Sequence, residues 1–223
     1  MQQQAKQQSS ESENIEEVFK KTFPRVPFDS IKPTDIKNIY EVSRGPELIY
    51  FISEPGYLFI GNIVSKEGKN ITEQRKGELV AAKAKDLPLD KAIKIGSGKN
   101  TIFEFTDPDC SYCRRASKFL EQKKDTTRYI FFVPLPMHPD AENKIKYVFC
   151  AEDKAKAYED VMKGKLDDQK YEKCEKAEAV DLLKIHKELA GKIGIPATPF
   201  FIINGKKAVV GANTPEIEAA LIK

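Results

Sequence analysis

Tryptophan is absent from the chain, histidine occurs only at 138 and 186, and cysteine only at 110, 113, 150 and 174. Neither histidine stands at ligand spacing from the one Cys-x-x-Cys, which argues against a zinc site built from both residue types. Charge of one sign is also missing. With 37 Lys and Arg against 34 Asp and Glu, the net charge of +3 is spread over both signs, and no nucleic-acid partner is expected. No apolar run approaches the ~20 residues that a spanning helix needs; the longest, such as Tyr129–Leu135 and Pro199–Ile203, are strand-sized. What remains is a chain of 223 residues, 40% hydrophobic, long enough to bury a core without staples and to form one medium domain beside a smaller one.

Four cysteines allow three pairings. One reading keeps Cys110 and Cys113 as a pair that cycles between dithiol and disulfide, with Cys150–Cys174 as a permanent bridge in an oxidising compartment. Such a bridge closes a loop of about 25 residues, worth roughly 3.5 kcal/mol in the chain-entropy model. Two buried free thiols, or a structural zinc site, are the alternatives. The intervening AEDKAKAYEDVMKGKLDDQKYEK is too polar for a deep core and suits a stapled helical insertion.

Residues 1–14, rich in Gln and Ser, read as a mobile leader. They lack the apolar stretch of a secretory signal, so the chain is either a mature one whose signal has been removed or one that was never exported, and the disulfide reading favours removal. Residues 15–69 are expected to form a small β-rich module. A short helix covers Ile15 to about Phe23, the prolines at 24, 27 and 33 mark a turn region, and Glu47–Ser53 and Tyr57–Ser65 form a hairpin around Glu54-Pro55-Gly56. A hairpin is marginal alone, so this module is expected to pair with a second copy in a homodimer. Residues 70–95 read as a linker whose helix, about 17 residues at 1.5 Å each, spans about 25 Å and keeps two domains apart.

Residues 96–223 run β-α-β, then a helical block within about 138–193, then β-β-α. Strand Thr101–Thr106 leads through Asp107-Pro108-Asp109 into a helix from Ser111. With Asp109 at the N-cap, Cys110 falls in the first turn, where unpaired N–H groups and the helix dipole favour a thiolate. Helix N-termini take such a thiol from ~8.5 to somewhere in ~3.5–7.5. Cys110 is then the nucleophile and Cys113, one turn deeper, the resolving thiol. Thr198-Pro199 opens a strand where a cis bond would expose a backbone edge for substrate. Glu104, alone in an apolar strand, is expected to point inward and to exchange protons with Cys113; its alternative is the solvent face. Arg114 and Arg115 either stabilise the thiolate or solvate the helix. Neither histidine needs a catalytic role, and this chemistry needs no cofactor.

FTDPDCSYC (105–113), DAENKIKYVFCAEDKAKAYEDVMKGK (140–165) with Cys174 beyond, GIPATPFFI (194–202) and, more weakly, LIYFISEPGYLFIGNIV resemble the periplasmic thiol:disulfide interchange proteins DsbC and DsbG, more closely DsbC. The resemblance runs from about Pro24 to the end. It implies an α/β thioredoxin fold with a helical insertion, behind an amino-terminal dimerisation domain and a linker helix, in a V-shaped homodimer. It implies an isomerase that rearranges non-native disulfides of misfolded exported proteins, with chaperone activity, and a DsbD-like membrane reductase that keeps the Cys-x-x-Cys reduced. Its attacking cysteine falls on Cys110, its partner on Cys113, its cis-proline pair on Thr198-Pro199 and its structural disulfide on Cys150 and Cys174. Ser111 departs from the glycine usual in DsbC, and Glu104 from an apolar residue. The first departure leaves a net dithiol oxidase as a competing reading, and a cleft that chiefly holds unfolded chains is another.

Overall fold

The computed structural model describes residues 15–45 and 47–222, so the leader expected at 1–14 lies outside them. The chain forms two compact units that divide between Lys76 and Gly77. In the first, residues 15–22 form helix α1, followed by strands β1 (Ser30–Pro33), β2 (Ile39–Arg44), β3 (Glu47–Ile52) and β4 (Tyr57–Phe59) in an antiparallel sheet of order β1-β2-β3-β4. Ile15 and Phe19, four residues apart, lie on one side of α1 and pack on Ile31, Val42 and Phe51. Phe19 sits edge-on to Phe28 and Phe51, with ring centroids 5.3 and 5.2 Å away.

Two strands, β1 and β2, stand where a turn region was expected. Pro33 ends β1, and β1 is an edge strand, where a residue without N–H is tolerated. The second arm of the expected hairpin is shorter than Tyr57–Ser65: only Tyr57–Phe59 pair with β3, and Ile60 and Val64 are exposed.

Helix α2 (Ile71–Ala81) and a 3-10 turn (Ala84–Asp86) occupy the expected linker. The helix is shorter than expected, and it is packed at both ends rather than free. In the first unit, Thr72 bonds Tyr50 at 2.7 Å and Arg75 grips Glu41 at 2.9–3.0 Å. In the second unit, Val80, Ala81, Ala84 and Leu87 are buried with Phe103, Phe105, Phe131 and Phe200. At Gly77 an added Cβ would stand 3.1 Å from that of Ala208, so the glycine lets α2 approach closely.

The second unit is a five-stranded sheet of order β5-β7-β6-β8-β9, built from β5 (Ile93–Ile95), β6 (Asn100–Thr106), β7 (Thr126–Phe132), β8 (Phe200–Ile203) and β9 (Lys207–Val210). β6 runs parallel to β7, across helix α3 (Ser111–Leu120), and antiparallel to β8. Helices α4 (Ala141–Cys150), α5 (Lys154–Met162) and α6 (Ala177–Ile193) follow β7, and α7 (Thr214–Leu221) closes the unit. Alternation along β6 sends Phe103 and Phe105 to one face, and Ile102 to the other, against Ala116 and Leu120 of α3.

Glu104 shares the Ile102 face and is fully buried. Its carboxylate accepts two bonds from Arg128 of β7, at 2.7 and 3.1 Å, and one from the Tyr158 hydroxyl of α5, at 2.7 Å. Burial works against the Arg128 charge, but Glu104 beside it holds the guanidinium charged. Burial pushes the Tyr158 phenol upward, which keeps it a donor. The insertion is thus fixed to the sheet through a buried polar triad. His186 of α6 makes a second polar tie: its Nδ1 accepts the Phe132 N–H at 2.9 Å and its Nε2–H donates to the Lys91 carbonyl at 2.8 Å. The Nδ1 bond needs the neutral ring, while the Nε2–H can donate in either form, and burial lowers the ring's pKa to about 4.

Two outcomes follow from these buried groups. Because the folded pKa of His186 lies below its unfolded value near 6.5, its contribution is present above pH 6.5 and is lost as pH falls toward 4, by up to about 3 kcal/mol. Urea unfolding between pH 7 and 4 should therefore show an acid loss of stability that is smaller in His186→Gln. Arg128→Met should cost about 3–5 kcal/mol by leaving the buried Glu104 carboxyl without its cation, whereas Glu104→Leu with Arg128→Met should cost much less. A double variant as unstable as the single one would contradict that assignment.

Candidate active site

Strand β6 ends at Thr106, and the chain reverses through Asp107-Pro108-Asp109 to begin α3. Cys110 is the N-cap residue of α3 itself, with extended backbone at φ −77°, ψ 118°. The carboxylate that serves this turn is Asp107, not Asp109 as the sequence suggested. Its Oδ1 accepts the N–H groups of Asp109 and Cys110 at 2.7 and 3.1 Å, and its Oδ2 accepts that of Leu135 at 2.6 Å. The physical reason is reach: a carboxylate two and three residues before the N–H groups it accepts folds back over the turn, as in an Asx turn. Asp109 turns away and pairs with Arg114 and Lys144.

Cys110 and Cys113 are free thiols, and Cys150 is bonded to Cys174. The bridge spans 6.4 Å between Cα atoms and joins the end of α4 to the segment before α6. With those two sulfurs joined to each other, the Cys-x-x-Cys has no further thiol ligands for a zinc site. Cys110 is 7% exposed and its Sγ lies 3.9 Å from the Thr198 carbonyl oxygen. Cys113 is fully buried; burial pushes its thiol well above the ordinary range, while the Asp107 N–H, 3.4 Å from its Sγ, opposes that shift. The pair is therefore asymmetric: Cys110 reaches the surface beside Thr198, and Cys113 is held as a thiol behind it.

The Thr198-Pro199 bond is cis, and Pro199 passes directly into β8 with its carbonyl accepting the Gly211 N–H at 2.8 Å. The Thr198 hydroxyl is buried with no hydrogen-bond partner among the described residues. Cys110, Cys113, Thr198 and Pro199 thus meet at one end of the sheet. Glu104 points inward as expected, but both its oxygens are engaged by Arg128 and Tyr158, so its contacts lead into the insertion and not to Cys113.

Arg114 does not reach toward the sulfur; its guanidinium is taken by Asp109, Asp167 and the Pro108 carbonyl. Arg115 lies over the exposed ring of Tyr112, 4.9 Å from its centroid. Sequence reasoning missed His138, whose Nδ1 lies 2.9 Å from Asp107 Oδ1. Its only local signal is the pair of prolines that bracket it in Pro136-Met137-His138-Pro139. Lys144 and Asp167 were missed as well, and no local signal marks them, since each is far in sequence from Asp109 or Arg114.

Residues 3–73 match the model of the disulfide bond isomerase protein N-terminal domain, and residues 87–223 match that of the thioredoxin-like domain. The chain is 28% identical over 155 residues to a probable thiol:disulfide interchange protein DsbC of Bordetella pertussis, a match covering 68% of this chain and 55% of that protein, so it spans about half the length of that relative. It is 30% identical over 195 residues to the thiol:disulfide interchange protein DsbC of Salmonella typhimurium, covering 83% of this chain and 77% of that one. Among solved structures, a disulfide interchange protein from Neisseria gonorrhoeae superposes with a TM-score of 0.52 at 31% identity, over 61% of this chain and 96% of that one. A thioredoxin-like domain that carries a free Cys-x-x-Cys at a helix start, preceded by a domain of the isomerase type, places the chain in the DsbC family of thiol:disulfide interchange proteins.

Proposed function

We propose that the chain is a protein disulfide isomerase that rearranges non-native disulfides in exported proteins. The observation that carries this reading is the asymmetric free dithiol: Cys110 at the start of α3 beside the Thr198 carbonyl, and Cys113 buried one turn deeper. Cys110 as thiolate attacks one sulfur of a wrong disulfide; a new S–S bond forms to Cys110, the old one breaks, and its second sulfur leaves as a thiolate. If that thiolate then attacks another disulfide of the substrate and the product expels Cys110, no net oxidation has occurred. If Cys113 loses its proton and attacks Cys110 first, the substrate leaves with two more electrons and the enzyme keeps a Cys110–Cys113 disulfide. A DsbD-like membrane reductase is the partner that would return it to the dithiol. Thr198 and Pro199 receive the substrate backbone.

The half-exposed Cys150–Cys174 bridge supports an oxidising compartment, the periplasm. The first unit supports a homodimer: β4, an edge strand of three residues, is followed by exposed Ile60 and Val64, with Tyr57 and Phe59 exposed on the strand itself. A dimer of this kind would also hold unfolded chains, the chaperone activity expected of the family. No helix among the described residues is long and apolar enough to cross a membrane.

The test is refolding of scrambled ribonuclease with wild type, Cys110→Ala and Cys113→Ala. Wild type should restore activity, Cys110→Ala should restore none, and Cys113→Ala should accumulate as a mixed disulfide visible by mass. Recovery with Cys110→Ala would overturn the assignment. Catalytic oxidation of a reduced substrate without rearrangement would select the oxidase reading. Light scattering should give twice the chain mass, 25.2 kDa; a monomer at micromolar concentration would refute the dimer.

A further inference from the structure

Four charged side chains from four places in the sequence meet beside the start of α3. Arg114, on α3, donates to Asp109 at 3.0 Å and to Asp167 at 2.5 and 2.9 Å. Lys144, on α4 and nearly buried, donates to Asp109 at 2.5 Å and to Asp167 at 2.6 Å. Two cations and two anions cancel, and each cation bridges both anions. Arg114 and Lys144 hold the Asp167 carboxyl at about 2, so the carboxylate stays charged throughout the neutral range. Asp167 is brought there by the segment between α5 and α6 that the Cys150–Cys174 bridge closes. Gly164 in that segment makes room for it: with φ at +74°, a Cβ there would stand 2.8 Å from Asp167 Oδ2.

This quartet adjoins Cys110 through the backbone. Asp109 is the residue before it, and the Arg114 N–H donates to the Cys110 carbonyl at 3.0 Å. Other ionisable groups around the turn are Asp107 with His138 bonded to it, Asp140 at the start of α4, Asp168 and Lys170, which line the same hollow as the quartet, and the protonated Cys113. Partly buried charges at this range are weakly screened, so the loss of one member leaves a unit charge acting on the cysteine. We propose that Asp167 and Lys144 are positioning residues for Cys110: by neutralising one another around Asp109 and Arg114 they limit how much thiolate Cys110 carries. The disulfide-closed insertion thereby sets the reactivity of the exchange site. The proposal rests on Cys110 being the attacking thiol.

The signs distinguish charge from mere support. Asp167→Asn leaves a net positive charge and favours the thiolate, Lys144→Met leaves a net negative charge and disfavours it, and the double variant is neutral again. A purely structural role would move both singles the same way and make the double worse. The measurement is the rate of Cys110 alkylation by iodoacetamide, an uncharged reagent, on the reduced full chain at one mildly acid pH and low salt. Asp167→Asn should react about threefold faster and Lys144→Met about threefold slower, with the double variant near wild type. Arg114→Gln removes the other cation and should shift the rate as Lys144→Met does, which keeps the test open if that variant fails to fold. Two singles that change together, or neither changing, would overturn the proposal. A wild-type Cys110 that iodoacetamide does not modify would instead remove the isomerase reading on which it stands.

Discussion

The carboxylate of Asp107 is buried under the start of α3, and the exchange site depends on it. Three backbone N–H groups, from Asp109, Cys110 and Leu135, and the ring nitrogen of His138 converge on its two oxygens, while its own N–H meets the Cys113 sulfur. Donors of this number compensate a buried carboxylate for its removal from water. Their origins matter more than their number: they come from the turn between β6 and α3 and from the loop after β7. One side chain therefore fixes Cys110 at the helix start, Cys113 one turn on, and the loop that shields them. An Asp107 with any other rotamer would take its acceptor away from the Asp109 N–H and leave the Cys110 N–H only the Asp107 carbonyl, 3.3 Å away.

The helical insertion is usually thought of as decoration on a sheet, but here its side chains complete the core of the sheet. Tyr158 of α5 closes the Glu104–Arg128 pair, and His186 of α6 pairs the last N–H of β7. A buried ion pair gains little by itself, because its desolvation offsets its attraction. What the triad provides is register: Arg128 stands opposite Ile102 across the parallel pair, so only one alignment of β6, β7 and α5 brings all three polar ends together. A shift of one residue would bury each of them alone.

Much of the second unit was legible in the sequence because its elements are long and regular. Helix α6 lies at Ala177–Ile193, as its pattern suggested, and β6, β7 and β8 fall within two residues of the expected strands. The first unit was harder to read. β1 is only four residues long and ends in a proline, and β2, whose partners are both antiparallel neighbours, carries Glu41 inward to Arg75. Three-residue β5 leaves no periodicity to detect. At the site, the residue types were readable but not their pairings. Asp109 and Asp107 look alike in sequence as caps, and only the turn geometry decides which one reaches back. Nothing in TRYIFF marks Arg128 as buried until Glu104 is placed beside it.

The chain holds two cysteine pairs in different redox states, and their surroundings account for the difference. Cys150 and Cys174 are joined across a segment that was expected to be too polar for a deep core but buries Tyr158, Val161, Met162 and Leu166 there, because its few apolar side chains share one side of α5 and the turn after it; the covalent bond ties the rest of the segment to that packing. Cys110 and Cys113 need no such bond: the α3 turn, Asp107 and the Thr198-Pro199 segment already hold them in place. Their burial also differs across a single turn: Cys110 keeps a small exposed surface, while Cys113 has none and its burial keeps it a thiol. In the proposed mechanism, an attacking sulfur with a small exposed surface and a proton-holding one behind it would suit exchange with a bulky partner, since the mixed disulfide would have time to rearrange before Cys113 is deprotonated. On the isomerase reading proposed above, the burial of Cys113, set by the packing of α3 on β6 and the insertion, would slow its attack on the mixed disulfide and so favour rearrangement over net reduction of the substrate.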